Sequence, residues 1–252
     1  MKQILSKLRR AIQDFNMIQD GDRIAVGLSG GKDSTLLLLA LNQYRKFSPQ
    51  KFELCAVTIS MGLEGYDPSP LIELCKKEDI TYKIIDTQIG EILFNVRKEK
   101  NPCSLCAKMR RGVLHDAAKE LGCNKVALGH HSNDAIETFL MSLLYEGRIN
   151  TFSPVTYLSI KDLYLIRPMV YVSEKDIIGT VNKLNLPIVK NPCPANGHTQ
   201  RQYMKDLVKQ IKLDIPQAED NILGALMNIE QLNIWDKSKI SSLCNGINKD
   251  EN

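Results

Sequence analysis

Residues 23–41 read Arg-Ile-Ala-Val-Gly-Leu-Ser-Gly-Gly-Lys-Asp-Ser-Thr-Leu-Leu-Leu-Leu-Ala-Leu, and this stretch decides the fold. Arg23–Leu28 has the length and apolar content of a short buried strand. Leu36–Leu41 continues a helix expected over Asp33–Tyr44. Between them Ser29–Ser34 must turn the chain, and its two glycines let the backbone do so tightly. A strand, a glycine turn and a helix start therefore coincide. Several backbone N–H groups and the positive helix end converge on one spot, which suits a phosphate or pyrophosphate. Lys32 adds a mobile positive charge, and Ser29 and Ser34 add hydroxyl donors. The loop is not of the Walker A type, because Val26 stands where that motif needs its first glycine and Asp33 follows Lys32. A plain glycine turn capped by Asp33 would need only part of this pattern.

Outward from the loop, strand and helix signals alternate. Ile4–Phe15 has apolar residues at helical spacing, and Asp20-Gly21-Asp22 makes a turn. Phe52–Ile59, Thr81–Asp86, Lys125–Leu128 and Leu163–Ile166 read as further strands. Pro70–Lys77, Ala107–Leu121, Asn133–Tyr145 and Glu174–Leu184 read as helices, the last with Ser173 as its N-cap and the Ala107–Leu121 helix stopped by Gly122. The expected fold is α/β, a parallel sheet with helices on both faces and a helical C-terminal extension. Ligands in such sheets sit at the carboxyl ends of the strands, here after Leu28, Ile59, Asp86 and Leu128. The expected division is an N-terminal helix at 1–22, an α/β nucleotide-binding domain at 23–198 and a helical extension at 199–252, loosely ordered after Trp235.

The 252 residues suffice for one such domain with an appendage, and 43% apolar and 25% charged residues are ordinary for a soluble protein. A net charge of +4 permits an anionic partner such as RNA without requiring one. No apolar run resembles a signal segment or a membrane span, since Lys2, Lys7, Arg9, Arg10 and Asp14 interrupt the start and Leu36–Leu41 is too short. Seven cysteines cannot all pair within one chain. These features point to a reducing cytoplasm.

Cys55, Cys75, Cys123 and Cys244 sit in apolar, periodic settings and are expected in the core. Cys103-Ser104-Leu105-Cys106 differs: it opens the Ala107–Leu121 helix, in the loop after the third strand. Cys193 lies far along the chain between Pro192 and Pro194. Three chemistries fit these three thiols. An iron–sulfur cluster would leave one iron without a protein ligand. A structural zinc site would add His198 as fourth ligand. A persulfide-forming thiol pair would need only nearby positive charge, such as Lys108, Arg110 or Arg111. Arg110 and Arg111, at the apparent start of a helix where cations oppose the dipole, point to an anionic partner, ATP or an RNA phosphate. His130 and His131, after a buried strand, suit either a catalytic or a hydrogen-bonded structural role.

Ser29–Ser34 resembles the PP-loop of the adenine-nucleotide α-hydrolase superfamily, which cleaves ATP between its α and β phosphates. The resemblance narrows with Asp14–Ile18, Cys103–Cys106, Arg110-Arg111-Gly112, Ala127–His131, Ile166-Arg167-Pro168, Glu174–Ile177 and Gln200-Arg201-Gln202. Together, from about Lys7 to about Ile211, these are similar to the tRNA 2-thiocytidine synthetases. That resemblance implies a [4Fe-4S] cluster on Cys103, Cys106 and Cys193, and ATP bound by Ser29, Gly30, Gly31, Lys32, Asp33, Ser34, Gly129 and His130. It implies catalysis by Lys32, Asp33, Asp134 and Arg110, with Mg2+ positioned by Asp33 or Asp134. The implied reaction adenylates O2 of cytidine 32 in tRNA, after which sulfur displaces AMP. A cysteine desulfurase or other sulfur donor and a homodimeric assembly are implied partners. Two stretches depart from the family pattern: Asn133 replaces the first of two adjacent aspartates, and Met61–Pro70 follows it weakly. A PP-loop ligase or amidase with a structural zinc is the rival activity, and a nucleotide-binding regulator without turnover is a third.

Overall fold

A computed structural model describes residues 1–97, 102–189, 192–193 and 200–228. Its centre is a six-stranded sheet in the order β3-β2-β1-β4-β6-β5. The strands are β1 (Arg23–Gly27), β2 (Glu53–Ser60), β3 (Thr81–Asp86), β4 (Lys125–Ala127), β5 (Val155–Leu158) and β6 (Leu163–Ile166). All neighbours pair in parallel except β5, which runs antiparallel to β6 at one edge. This edge strand is absent from the sequence reading. The helices are α1 (Lys2–Asp14), α2 (Lys32–Tyr44), α3 (Ser69–Lys77), α4 (Ile89–Glu91, continued by a π-turn to Val96), α5 (Pro102–Glu120), α6 (Ser132–Glu146), α7 (Glu174–Leu184), α8 (Gln200–Asp214) and α9 (Ala218–Met227). The tail after Trp235, with Cys244, and His198 lie outside the described residues.

Side chains alternate across the sheet with the period of two that a pleated strand imposes. Ile24 and Val26 of β1, with Leu54 and Ala56 of β2, face a large core that also takes Ile4, Leu8 and Ile12 of α1 and the leucines of α2. Ala25, Cys55 and Val57 face the opposite side, against Leu114, Ala117 and Ala118 of α5. Two covered faces explain why the middles of β1 and β2 are apolar at successive rather than alternate positions. They also explain the unbroken run Leu36–Leu41, every residue of which is at most 5% exposed. Cys55, Cys75 and Cys123 are buried.

One buried ion pair fixes the start of the sheet. Lys125 Nζ lies 2.6 Å from Asp22 Oδ2 and also donates to the Met17 carbonyl at 3.0 Å. Asp22 accepts in addition from Asn124 Nδ2 and from the Gln19 N–H. The pair is fully hydrogen-bonded, so its worth shows when half of it is removed. Lys125→Ala strands the Asp22 carboxylate in the core, and urea unfolding is expected to show a loss of about 3–5 kcal/mol.

The structure corrects the reading of the cysteine pair. α5 begins at Pro102, so Cys103 and Cys106 lie in its first turns and not in a preceding loop. Proline suits a first helical position, where its missing N–H would have no partner. Arg110 and Arg111 then lie more than two turns inside the helix, and the dipole conflict inferred for them does not arise. Helix α7, by contrast, has the bounds read from the sequence, and the Ser173 hydroxyl accepts from the Asp176 N–H at 3.2 Å.

Candidate functional site

The loop Ser29–Gly31 leaves β1 and enters α2 through Gly31 as N-cap, with Asp33 in the first turn. Its shape comes from its own hydroxyls. Ser34 Oγ accepts from the Ser29 N–H at 3.1 Å, lies 3.0 Å from Ser29 Oγ, and contacts the Gly31 carbonyl at 3.1 Å. Ser34 thus shapes the loop from within. Gly30 has φ +81°, and a Cβ there would stand 3.0 Å from the Val189 Cβ. The Gly30 carbonyl accepts from the Val189 N–H at 2.9 Å, which binds the loop to the segment leading to Cys193. Gly129, at the end of β4, comes so close that a Cβ would lie 3.1 Å from the Asp33 carbonyl carbon and the Ser34 nitrogen.

A cavity of about 410 Å3 opens beyond this loop at the carboxyl ends of the strands. Its wall includes Lys32 and Asp33 of α2, Cys103, Cys106 and Arg110 of α5, and Cys193. His131, Asp134 and Glu137 reach it from α6, Glu174 from α7, and Arg201 and Lys205 from α8. Among the described residues, four cations, Lys32, Arg110, Arg201 and Lys205, thus face four carboxylates, Asp33, Asp134, Glu137 and Glu174. A second hollow of about 200 Å3 adjoins, lined by Ser29, Gly31, Ile59, Ser60, Met61 and Tyr66, with Arg110 on both walls. The stretch Met61–Pro70 therefore enters the site through Met61 and Tyr66.

The charges form a lattice. Lys32 Nζ lies 3.1 Å from Asp33 Oδ2 and 3.2 Å from Glu174 Oε1. Burial opposes its charge, but these carboxylates outweigh it and raise its pKa, so Lys32 is cationic at neutral pH. Arg201 donates to Asp134 Oδ1 at 2.9 Å and to Thr138 Oγ1 at 3.2 Å. Asp134 Oδ2 accepts from the His131 N–H at 3.0 Å, and His131 Nε2 lies 3.8 Å from Asp33 Oδ1. That Asp33 oxygen is buried without a hydrogen-bond partner, an acceptor suited to a hard cation such as Mg2+.

Burial, then Asp134, pushes the Glu137 carboxyl up to about 7. Its folded pKa stands above the ordinary 4.5, so the native state holds an extra proton between those values and this group's contribution to stability falls as pH rises through them. Glu137→Gln removes that slope. Urea midpoints at about pH 5 and about pH 7.5 are expected to differ less in the variant than in the parent.

His130 takes a different place from the one expected of it. It lines neither cavity; its ring packs 5.0 Å from Phe152, and burial drives its pKa down to about 4, so it is neutral. His131 occupies the cavity wall instead. Sequence reading assigned no role to Glu137, Glu174, Arg201 or Lys205. The i, i+3 spacing of Glu137 from Asp134 and the i, i+4 spacing of Arg201 and Lys205 put each pair on one helix face, whereas no such signal marks Glu174. Asn133 also gains an explanation: its Nδ2 donates to Glu219 Oε1 at 2.8 Å while its Oδ1 accepts from the Glu174 N–H at 2.9 Å. A carboxylate there would repel Glu219; the amide joins α6 to α7 and α9.

Cys103 is exposed, and Cys106 and Cys193 are half-buried on the same wall. Cys106 Sγ lies 3.8 Å from Met61 Sδ; burial raises its pKa, and Arg110 opposes that rise. Among the described residues, no three Cys, His, Asp or Glu side chains are grouped as ligands of a single metal ion are. A cluster does not demand that grouping, because each thiolate binds a different iron. Three thiols lining one cavity therefore supply the donor type a cluster takes.

A phosphate-cradling loop between β1 and α2, at the carboxyl edge of a mostly parallel sheet, defines an ATP-using enzyme of the PP-loop class. The PP-loop domain family matches residues 2–211, and the chain belongs to it, among the tRNA-cytidine(32) 2-sulfurtransferases. The protein of that name from Syntrophotalea carbinolica is 39% identical over 232 residues, spanning 91% of this chain and 90% of the relative. The one from Legionella pneumophila is 38% identical over 243 residues, spanning 94% and 84%. Among solved structures, the U34-tRNA thiolase of Methanococcus maripaludis with its [4Fe-4S] cluster superposes with a TM-score of 0.76. It is 26% identical, and the match covers 94% of this chain and 80% of that one.

Proposed function

We propose that the chain is an ATP-dependent tRNA thiolase that replaces O2 of a cytidine, that at position 32, by sulfur and releases AMP and pyrophosphate. The observation that carries this reading is that Lys32 and Asp134 share one cavity wall with Cys103, Cys106 and Cys193. Activation and sulfur transfer then happen at one place, without release of the activated base.

Loop N–H groups and Lys32 hold the phosphates, with Arg110 at the junction of the two hollows. Attack of the base oxygen on the α-phosphorus breaks the α–β bond, and Lys32 stabilises the departing pyrophosphate. Asp33 and Asp134 would hold Mg2+, which adds charge neutralisation at the phosphates. Cys103, Cys106 and Cys193 would hold a [4Fe-4S] cluster, which supplies an iron open to an exogenous sulfur. A sulfur nucleophile adding at C2 expels the oxygen with AMP. Arg201 and Lys205 keep Asp134 and Glu174 in place around these events.

A cysteine desulfurase or another donor supplies the sulfur, and the chain works as a homodimer. Leu144, Tyr145 and Ile149, each more than half exposed near the end of α6, support a protein contact. Among the described residues no helix is long and apolar enough to cross a membrane, in keeping with action in the cytoplasm.

The test is purified protein with tRNA, ATP and sulfide under anaerobic conditions, followed by nucleoside mass spectrometry. 2-Thiocytidine that forms only with ATP is expected. Pyrophosphate release indifferent to tRNA, with no thionucleoside, would overturn the reading.

A further inference from the structure

Lys32 is not idle when no phosphate is near. Its ammonium is engaged by Asp33 and by Glu174, and Glu174 Oε1 is shared with Lys205 Nζ at 2.7 Å. Glu174 cannot follow Lys32 toward a nucleotide, because its backbone N–H is held by Asn133 and it begins α7. Its side chain is only 16% exposed, so water replaces a lost cation poorly. When Lys32 turns to the phosphates, Glu174 would become a mostly buried, unpaired carboxylate unless a second cation stays behind. Lys205 is placed to be that cation.

We propose that Lys205 is a positioning residue for ATP: it neutralises Glu174 and so frees Lys32 to bind phosphate. Without Lys205, Glu174 and the phosphates compete for a single ammonium, and ATP binds at the expense of a stranded charge. Arg201, one turn earlier on α8, stands in the same relation to Asp134, so α8 offsets the acidic side of the site as the nucleotide arrives. The proposal rests on the reading of Lys32 as a phosphate ligand.

The experiment is ATP titration by calorimetry on the full-length, cluster-loaded protein. Lys205→Met is expected to weaken ATP about tenfold, the scale of one unsatisfied buried charge contact. Lys205→Arg is expected to stay within about threefold of the parent. The double variant Lys205→Met/Glu174→Gln removes the competing carboxylate and is expected to return to within about threefold. A merely structural lysine would not be rescued by that second change. Lys205→Met binding ATP like the parent, or a double variant as weak as the single one, would overturn the proposal. A parent that binds no ATP would overturn the nucleotide reading itself, and this proposal with it.

Discussion

Protein carrying Cys193→Ala, purified without oxygen, is expected to be colourless and low in iron, while the parent is brown. Thiolation should fall by more than about 100-fold, beyond the 10–100-fold that changes behind a metal's ligands cost. ATP binding is expected to survive, since the Ser29–Ser34 loop and Lys32 are unchanged in this variant. Two measurements separate the effects: the visible absorption shoulder with iron content, and an ATP titration on the same sample. An iron-free, colourless protein that still thiolates tRNA would remove the cluster from the mechanism. The size of the effect follows from ligand arithmetic. With one of the three proposed thiolates gone, a cluster would keep two anchors.

Lys32→Ala is the second large change. Among the described residues the lysine is the cation that α2 brings to the cavity; burial opposes its charge, but Asp33 and Glu174 outweigh it and keep it cationic at neutral pH. Pyrophosphate release is expected to fall by about 10²–10³-fold, the range for losing one preorganised charge at a developing anion. The iron content should not change, which is the reverse of the Cys193 result. A coupled pyrophosphate assay with tRNA present checks it.

Much of this site is legible in the residues. Ser29–Ser34 announces its phosphate geometry because all its parts are contiguous, and Ser173 announces the start of α7 for the same reason. The missing edge strand β5 is harder: Tyr157 is half exposed, and neither face carries a continuous apolar pattern. The start of α5 was misplaced because a proline followed by two small, polar-looking residues reads as loop, although proline opens helices well. The ion lattice is the least legible part. Glu174 meets Lys32 and Lys205, and Arg201 meets Asp134, only because the sheet gathers the ends of α2, α6 and α7 beside α8. Spacing along the chain carries no trace of such meetings. His130 and His131 show the same limit at closer range: adjacent residues of one kind point to different places, His130 against Phe152 and His131 toward Asp134 at the start of α6.

The backbone bond between Gly30 and Val189 makes a phosphate loop and the approach to a cysteine arm into one mechanical part. The smaller hollow borders both, with Gly31 on one side and Val189 and Pro192 on the other. A compact inhibitor wedged there would press on the loop and on Val189 at once. Resistance by substitution at Gly30 would be self-defeating, since any side chain there meets the same valine.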